Sequence, residues 1–345
     1  MTKILIIKLS AIGDVVQTLP ALEAIKRTYP DSEIDWVVEE AAAGILEGHP
    51  LINRLLVSRR KTWLAMLRKP STVAQGWREL RLFIGQLRAV RYDIAIDFQG
   101  LLKSGIVIGL ARAERKIGFA GTRELSSLFL NERLPAYDVE RHALERYLDI
   151  ARYLGAVDPP ATCSLPIDRE KALMRERLGK LEKGKKRVVV LNPVARWKTK
   201  LWQEDKFAVL ADRLTAERGA AVIFTGSPAD REVIGRIIGM MEHRPVNWAG
   251  ETTLKELAAL ASLADLFITT DTGPMHLAAA AGGKVVALFG PTAPWRTGPF
   301  GSGHVVVRKE LDCSPCFRRE CRDGVRCMDA ITVDEVMAQL PLWEA

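Results

Sequence analysis

Short apolar runs rich in β-branched residues alternate with helical patterns along the chain, and this alternation restricts the fold more than any other feature. Residues 3–9 form an almost continuous apolar run, which is typical of a strand buried on both faces of a parallel sheet. Apolar residues then recur at helical spacing over 15–29, and Pro30-Asp31 separates this helix from a second predicted strand at 34–38. This order predicts a parallel β–α–β unit.

The same alternation continues through the rest of the chain. Further strands are predicted at 93–97, 188–192, 221–224, 266–269 and 285–289, with helical patterns over 202–218 and 254–263. The chain has 345 residues, and a single core rarely grows beyond about 250–300 residues. We therefore predict an α/β protein with two Rossmann-like, doubly wound parallel sheets that face a central cleft, in domains 1–165 and 166–345.

The basic charge is unevenly distributed. The formal net charge is +8, which fits a phosphorylated substrate, a membrane surface or nucleic acid, and equally a plain solubilising surface. Residues 51–91 interleave ten of the Lys and Arg residues with aromatic side chains, which predicts amphipathic helices with a basic face. The sequence has no aromatic-rich recognition motif, so we expect no nucleic-acid partner.

Targeting signals are not visible in the sequence. The apolar run at 3–9 is too short for a secretory signal and precedes no cleavage site. No uncharged apolar stretch of about 18 residues occurs. We therefore expect a cytoplasmic protein that contacts a membrane only peripherally.

The first candidate site is the segment 10–14 (SAIGD), which follows the first predicted strand. In open α/β sheets, ligands bind at the carboxyl ends of the strands. Gly13 allows a tight turn beside a ligand, and Asp14 acts either as a helix N-cap, which its spacing alone favours, or as a general base. The segment lacks the G-x-G-x-x-G pattern, which counts against a nicotinamide site.

The second candidate site is the segment 269–276 (TTDTGPMH), again directly after a strand. Hydroxyl groups, a glycine and the free N–H groups of a helix start together predict an anion-binding site. Pro274 suits the first helical turn, where its missing N–H does no harm. The alternative is a capped helix with His276 in the core; the density of the motif favours phosphate binding.

Two more loops follow strands of the second domain. The segment 192–202 carries cations that would face a leaving diphosphate, although a solvated basic loop reads the same way. The segment 226–232 contains Asp230 and Glu232, either of which would accept hydrogen bonds from a ribose or base. An ordinary turn explains this second segment equally well.

Four cysteines lie close together near the C-terminus: Cys313, Cys316, Cys321 and Cys327. In a reducing compartment they favour a structural zinc site or free thiols over disulfides. The first pair has the spacing of a tetrahedral zinc site, but the later spacings are irregular. A catalytic metal is not expected here, because no acidic ligand cluster accompanies the cysteines.

Taken together, these segments resemble glycosyltransferase family 9, the lipopolysaccharide heptosyltransferases, over nearly the whole chain. The matching segments are SAIGD at 10–14, TLP at 18–20, DFQGLLKS at 97–104, GF at 118–119, TRE at 122–124, HALER at 142–146, KLW at 200–202 and DTGPMH at 271–276. Each segment is weak alone, but their joint order is specific. The Gln99 segment and the contexts of Arg123 and Arg146 look closest to the heptosyltransferase I branch.

The resemblance implies a GT-B fold with the acceptor on the first domain, ADP-heptose on the second, and a last helix that packs back on the first. It implies an inverting, metal-independent transfer of L-glycero-D-manno-heptose to the Kdo of Kdo-lipid A, with no cofactor. It also implies an enzyme held peripherally on the cytoplasmic face of the inner membrane.

The resemblance also implies roles for individual residues. Asp14 matches the catalytic base, which overrides the N-cap preference, and Lys200 matches a lysine that contacts the donor phosphates and shares in catalysis. The implied donor-binding residues are Lys200, Asp230, Glu232, Asp271, Thr272, Gly273, Pro274, Met275 and His276. The implied acceptor-binding residues are Gly13, Asp14, Arg60, Lys61, Gln99, Lys103, Arg123 and Arg146. Residues 194–196 lack hydroxyl side chains found in some heptosyltransferases I, so phosphate contacts there would come from backbone N–H groups.

Several alternatives stay open on the sequence. The chain fits a heptosyltransferase II or III that acts on an already heptosylated inner core, or a family member that uses another sugar nucleotide. A nucleotide-sugar-binding protein without catalytic activity is an alternative of another class. A Rossmann-type oxidoreductase is disfavoured because the glycine pattern is absent.

Overall fold

The structure is a computed structural model that describes residues 1–159, 165–181, 187–322 and 324–340, with the backbone alone at position 123. The chain divides into two compact units, Met1–Pro166 and Ile167–Ala345. Among the described residues, no helix has the length and apolar character needed to cross a membrane.

The first unit contains six strands and six α-helices in its described part. The strands are β1 (Lys3–Ile7), β2 (Glu33–Glu39), β3 (Arg54–Ser58), β4 (Arg91–Asp97), β5 (Arg112–Phe119) and β6 (Glu132–Leu134). The helices are α1 (Ile12–Thr28), α2 (Glu40–Leu46), α3 (Arg60–Leu67), α4 (Val73–Arg88), α5 (Leu102–Leu110) and α6 (Ala143–Tyr153), with a 3₁₀ segment at Arg123–Phe129. All strand pairs are parallel, in the order β3-β2-β1-β4-β5-β6.

The second unit has the same kind of sheet. Its strands are β7 (Arg187–Asn192), β8 (Ala220–Phe224), β9 (Val246–Asn247), β10 (Leu266–Thr270), β11 (Val285–Phe289) and β12 (Val305–Arg308). Its described helices are α7 (Asp168–Gly179), α8 (Glu204–Arg218), α9 (Arg231–Gly239), α10 (Leu254–Leu263), α11 (Gly273–Ala280), α12 (Pro294–Thr297), α13 (Arg326–Asp329) and α14 (Val333–Ala338). Short 3₁₀ segments lie at Lys198–Lys200 and Pro228–Asp230.

Both sheets follow the doubly wound order in which the direction of winding reverses between the first and fourth strands. In the second unit the order is β12-β11-β10-β7-β8-β9, so β7 and β10 occupy the places of β1 and β4. The strands at this reversal are largely buried, apart from the start of β4, as is typical of parallel sheets with helices on both faces. Ligands of doubly wound sheets bind at the carboxyl ends of these two strands. The prediction of two parallel α/β sheets is confirmed.

Two local predictions need correction. Helix α1 begins at Ile12, so Gly13 and Asp14 lie in its first turn, and Gly13 forms no tight turn. Ala11, whose backbone is extended, is the N-cap, and Asp14 stands three residues further on. The basic segment 51–91 is not wholly helical either, because residues 54–58 form β3 beside β2 before α3 and α4 follow.

Candidate active site

In the first unit, a glutamine side chain joins the two loops at the reversal of the sheet. The side-chain Oε1 of Gln99 accepts hydrogen bonds from the backbone N–H groups of Leu9, at 3.2 Å, and Ser10, at 2.9 Å. These contacts tie the loop after β4 to the loop after β1. Gln99, predicted to bind the acceptor, therefore also fixes the position of the Asp14 loop.

The buried carboxylate of Asp97 fixes the Gln99 loop through hydrogen bonds. Asp97 Oδ1 accepts the backbone N–H groups of Gln99, at 2.8 Å, and Gly100, at 3.1 Å. The hydroxyl of Ser104 donates to Asp97 Oδ2 at 2.9 Å. Burial raises the pKa of Asp97, and these hydrogen bonds act against that rise. Gly100 completes the turn with a left-handed backbone, φ +66°, which glycine adopts without strain.

The Asp14 carboxylate is held at both of its oxygens. The N–H of Ala11 donates to Oδ2 at 3.0 Å, and the phenol of Tyr147 on α6 donates to Oδ1 at 3.1 Å. The ammonium of Lys8 in turn donates to the Tyr147 oxygen at 2.7 Å and to the carbonyl of Phe98 at 3.0 Å. A chain of hydrogen bonds thus runs from a buried lysine through a tyrosine to the carboxylate.

The electrostatics of this chain keep the phenol a donor. Burial raises the pKa of Tyr147 well above its ordinary value, and the nearby Asp14 charge adds to the rise. Burial lowers the pKa of Lys8, while Asp14 and Asp97 act in the opposite direction. The Tyr147 hydroxyl therefore stays protonated at neutral pH and directs its proton at Asp14.

Cations surround the same end of the first sheet. Lys103 donates from Nζ to Ser10 Oγ at 2.6 Å and to Glu39 Oε1 at 2.9 Å. The Nε of Arg60 lies 3.5 Å from the same Glu39 oxygen. The contacts bring two predicted acceptor-binding residues, Arg60 and Lys103, beside the Asp14 loop, with Glu39 between them.

The remaining predicted acceptor residues differ in their environments. Arg146 lies with its guanidinium 4.7 Å from the centre of the Tyr137 ring, and its buried Nε has no hydrogen-bond partner within the described part of the chain. Lys61 is exposed at the start of α3. The side chain of Arg123 lies outside the described residues.

In the second unit, the two predicted donor loops meet at the reversal of the sheet. Lys200, after β7, donates from Nζ to Asp271 Oδ2 at 2.6 Å, directly after β10. The hydroxyl of Thr292, after β11, donates to the same oxygen at 2.6 Å. Asp271 is 5% exposed, so this ion pair is largely shielded from water. Asp271 therefore fixes the lysine ammonium at the edge where a ligand would bind.

A hydroxyl group at the start of α11 has no hydrogen-bond partner among the described residues. Thr272 Oγ1 is buried, and no described residue gives it a hydrogen bond. It stands at the N-cap of α11, before Gly273 and Pro274, where the free N–H groups and the helix dipole favour an anion. Buried polar atoms are normally paired, so an unpaired hydroxyl beside an ion pair fits a ligand oxygen. His276 is half-buried and has an interaction partner in the protein.

Three predicted donor-binding side chains have other roles in the structure. Met275 is fully buried, so its side chain packs into the core beneath the loop. Asp230 accepts hydrogen bonds from the backbone N–H of Ser227, at 2.7 Å, and from its hydroxyl, at 2.6 Å, in the turn after β8. Glu232 is largely exposed and pairs with Arg236 at 3.2 Å. The last two are not joined by these contacts to the Lys200–Asp271 pair.

The four cysteines of the C-terminal cluster differ in their exposure. Cys313, Cys316 and Cys321 are exposed, whereas Cys327 is buried. Cys327 packs beneath Gly290, where an added Cβ would lie 2.9 Å from its sulfur. Within the described ranges, no three His, Cys, Asp or Glu side chains lie close enough together to hold a metal ion.

Three contributors to these sites were missed in the sequence: Lys8, Tyr147 and Thr292. Lys8 reads as part of an apolar strand, and its partner Tyr147 lies 139 residues away along the chain. Tyr147 directly follows the matched segment 142–146, at a position that otherwise reads as the buried face of a helix. The one available signal was Lys8 at the end of a buried strand. A buried cation needs polar partners, so this lysine indicated that such partners lie nearby.

The comparison with known proteins bears directly on the two sites. A family model for glycosyltransferase family 9 (heptosyltransferase) matches residues 80–325, a span that includes Gln99, Lys200 and Asp271. The chain belongs to glycosyltransferase family 9. The resemblance noted in the sequence is confirmed, and the family 9 protein is a glycosyltransferase.

Individual relatives cover nearly all of the chain. Lipopolysaccharide heptosyltransferase 1 of Pseudomonas aeruginosa is 36% identical over 328 residues, which are 92% of this chain and 87% of the relative. Lipopolysaccharide heptosyltransferase 3 of Escherichia coli K12 is 30% identical over 87% of this chain and 89% of its own length. The structure of E. coli heptosyltransferase WaaC with ADP has a TM-score of 0.78 and 28% identity, covering 98% of both chains. The family 9 protein thus has the predicted GT-B fold.

Proposed function

We propose that this family 9 protein transfers L-glycero-D-manno-heptose from ADP-heptose to the Kdo of Kdo-lipid A, with inversion at the anomeric carbon. The observation that carries the proposal is the Asp14 carboxylate in the first turn of α1, which follows β1; Ala11 and Tyr147 orient this carboxylate. The names of the relatives support heptose as the transferred sugar, and the ADP bound to E. coli WaaC supports an adenine nucleotide as its carrier.

Asp14 acts as the general base. It takes the proton of the acceptor hydroxyl as that oxygen forms a bond to the anomeric carbon of heptose. The bond from this carbon to the diphosphate breaks at the same time, and its electron pair leaves on the phosphate oxygen of ADP. Attack on the face opposite the leaving group inverts the configuration. A positioned carboxylate typically supplies about 10²–10⁴-fold in rate.

Lys200 and the start of α11 meet the charge that develops on the leaving ADP. Asp271 and Thr292 hold the lysine in place, while the Thr272 hydroxyl and the free N–H groups of the helix face the phosphates. Asp230 or Glu232 contacts the ribose in this proposal, which requires the side chain to leave its present partner. The cationic groups of the chain take the part that a divalent ion plays elsewhere, so the transfer is metal-independent and needs no cofactor.

The acceptor binds to the first unit through cations. Arg60, Lys103 and Arg146 lie at the end of the first sheet that carries Asp14, where they suit the carboxylate of Kdo and the phosphates of lipid A. Arg123 and Lys61 belong to the same proposed set. Because the acceptor is a lipid, the protein works as a cytoplasmic enzyme held peripherally on the inner membrane.

Product masses test the proposal. The protein is incubated with ADP-heptose and either Kdo-lipid A or an already heptosylated core, and the products are weighed. A gain of one heptose on Kdo-lipid A alone supports the proposal. The similarity to heptosyltransferase 3 makes transfer only to the heptosylated core the principal alternative. Donor binding without any transfer would identify a nucleotide-sugar-binding protein instead.

The hydrogen bond from Tyr147 to Asp14 predicts a positioning role for the tyrosine. We expect Tyr147→Phe to lower turnover about 10–100-fold, since the base loses a hydrogen bond to its charged form. The KM for ADP-heptose should stay unchanged, as measured in steady-state transfer assays. The matched control is Tyr153→Phe on the same helix, whose hydroxyl bonds to Glu132 at 2.5 Å instead. Equal losses in both variants would contradict the assigned role.

The positive groups of the second unit predict that heptose transfer resists metal chelation. We expect heptose transfer to be unchanged after incubation with EDTA, because Lys200 and the helix N-terminus offset the charge of the leaving diphosphate. The rate is compared before chelation, after it, and after Mg²⁺ is added back. Loss of transfer that Mg²⁺ restores would overturn the metal-independent mechanism.

A further inference from the structure

The α3–α4 hairpin and the residues that flank it carry an excess of positive charge, and ion pairs with described residues offset only a minority of it. Residues 54–91 contain ten Lys or Arg residues and one acidic residue, Glu79. Six exposed cations of this segment make no ion pair with any described residue: Arg68, Lys69, Arg78, Arg81, Arg88 and Arg91. Such a set of unpaired cations attracts an anionic surface.

The inner face of the hairpin explains its folding. The rings of Trp63 and Phe83 lie 5.1 Å apart, and the indole N–H of Trp63 donates to Glu79 at 3.1 Å. Phe83 and Leu87 are buried in the core of the first unit. These contacts hold α3 against α4 and use up the single acidic side chain, so the outer face is not needed for packing.

The outer face of α4 is apolar as well as basic. Trp77 is 50% exposed and Leu82 is 60% exposed, and exposed apolar residues that are contiguous and rimmed by polar ones mark interaction surfaces. Ala74, Trp77, Arg78, Arg81, Leu82 and Gly85 follow one another at helical spacing and line one shallow groove. On α3, Leu64 is also 43% exposed. The hairpin therefore carries apolar residues on two faces, and only one of them is covered.

We propose that the outer face of the α3–α4 hairpin docks on an anionic phospholipid bilayer. Trp77 and Leu82 would enter the boundary between headgroups and acyl chains, while Arg78, Arg81 and their neighbours contact lipid phosphates. Exposed tryptophan and leucine flanked by arginine are the composition of helices that lie in the plane of a membrane surface. A nucleic acid would use the cations but would leave Leu82 and Leu64 without a function.

The position of the hairpin suits the proposed lipid acceptor, and to that extent the inference rests on the proposed function. Helix α3 begins at Arg60, whose side chain shares Glu39 with Lys103 beside the Asp14 loop. The basic surface thus continues from the proposed acceptor-binding cations along the hairpin. A bilayer on this face would present a lipid-anchored sugar to the first unit.

Flotation with vesicles tests the surface without any substrate. The full chain is mixed with vesicles of phosphatidylethanolamine and phosphatidylglycerol, and with neutral phosphatidylcholine vesicles for comparison. We expect binding to the anionic vesicles that weakens as salt rises. Trp77→Ser with Leu82→Ser should reduce binding about tenfold or more, and Arg78→Gln with Arg81→Gln should reduce it about fivefold for each charge removed.

Exposed residues of the second unit provide the matched control. Leu173→Ser with Arg175→Gln removes the same kinds of side chain from the exposed face of α7, and we expect it to bind vesicles like the unaltered chain. All variants should transfer heptose to a deacylated, water-soluble Kdo acceptor at the unaltered rate, which also shows that they are folded.

The outcomes separate this inference from the proposed function, because the vesicles hold neither donor nor acceptor. Equal binding to neutral vesicles, or unchanged binding by both α4 double variants, would overturn the docking surface even where transfer is normal. Binding to short RNA or DNA but not to vesicles would overturn it in favour of a nucleic-acid surface. Failure of transfer with vesicle binding intact would refute the proposed function alone.

Discussion

Asp14→Asn is expected to lower the turnover of heptose transfer about 10²–10⁴-fold and to leave the affinity for ADP-heptose unchanged. Asparagine has nearly the same shape, and its carbonyl oxygen can still accept the hydrogen bond from Ala11. What it loses is the capacity to take the acceptor proton. Steady-state rates measure the first effect, and calorimetric titration of the donor measures the second.

Asp14 also accepts the N–H of the N-cap residue Ala11 at the start of α1, and a control is needed for that structural role. Glu256 occupies the equivalent third position of α10, where the N–H of Thr253 donates to its carboxylate at 2.7 Å. Glu256→Gln should lower the free energy of unfolding by an amount similar to Asp14→Asn, about 1 kcal/mol or less, with no effect on turnover. Turnover of Asp14→Asn close to that of the unaltered protein would exclude Asp14 as the base.

Lys200→Ala is expected to reduce kcat/KM about 10²–10³-fold, because the leaving diphosphate loses its principal cation. The affinity for ADP should fall as well, since in the proposed mechanism the lysine also contacts the phosphates in the ground state. Among the described residues, the substitution also leaves Thr292 as the remaining side-chain donor to the buried Asp271 carboxylate, so we expect the free energy of unfolding to drop by about 1–3 kcal/mol.

Lys198 provides the comparison, since it lies on the same 3₁₀ segment and is exposed. Lys198→Ala removes the same charge from the loop but not the contact with Asp271. It should transfer heptose at nearly the unaltered rate. If both variants lost activity equally, the effect would come from the general charge of the loop. If Lys200→Ala bound ADP and turned over normally, the donor role of Lys200 would be wrong.

The centre of each sheet was predictable from the sequence, and the edges were not. Strands β1, β2 and β4 in the first unit, and β7, β8, β10 and β11 in the second, were recognised because burial on both faces leaves a nearly continuous apolar run. The strands that were missed, β3, β5, β6, β9 and β12, lie towards the outside of each sheet. In β5, for example, Arg112 and Glu114 are exposed, so the strand reads as polar.

The positions of the candidate site residues were predictable where these residues lie in short loops that follow buried strands. Lys200 and Asp271 were predicted on separate loops, and the structure joins them at 2.6 Å. The Lys8–Tyr147–Asp14 chain was not predictable, because its contacts depend on how α6 packs beside α1 and β1, and no local pattern encodes that packing. The residue pattern also could not reveal that Asp230 caps its own turn or that Met275 is packed inward.

The common strand order of the two units has an evolutionary consequence. Both units use the reversal of the sheet to hold a charged group. In the first unit, neutral donors hold the Asp14 carboxylate. In the second, the Asp271 carboxylate holds the Lys200 ammonium. The printed contacts of Asp14 and Lys200 come from described residues of the same unit in each case. In the proposed mechanism, mutations that alter nucleotide preference can therefore accumulate in one half without disturbing proton removal in the other, which makes this scaffold suited to diversification of its sugar and its target.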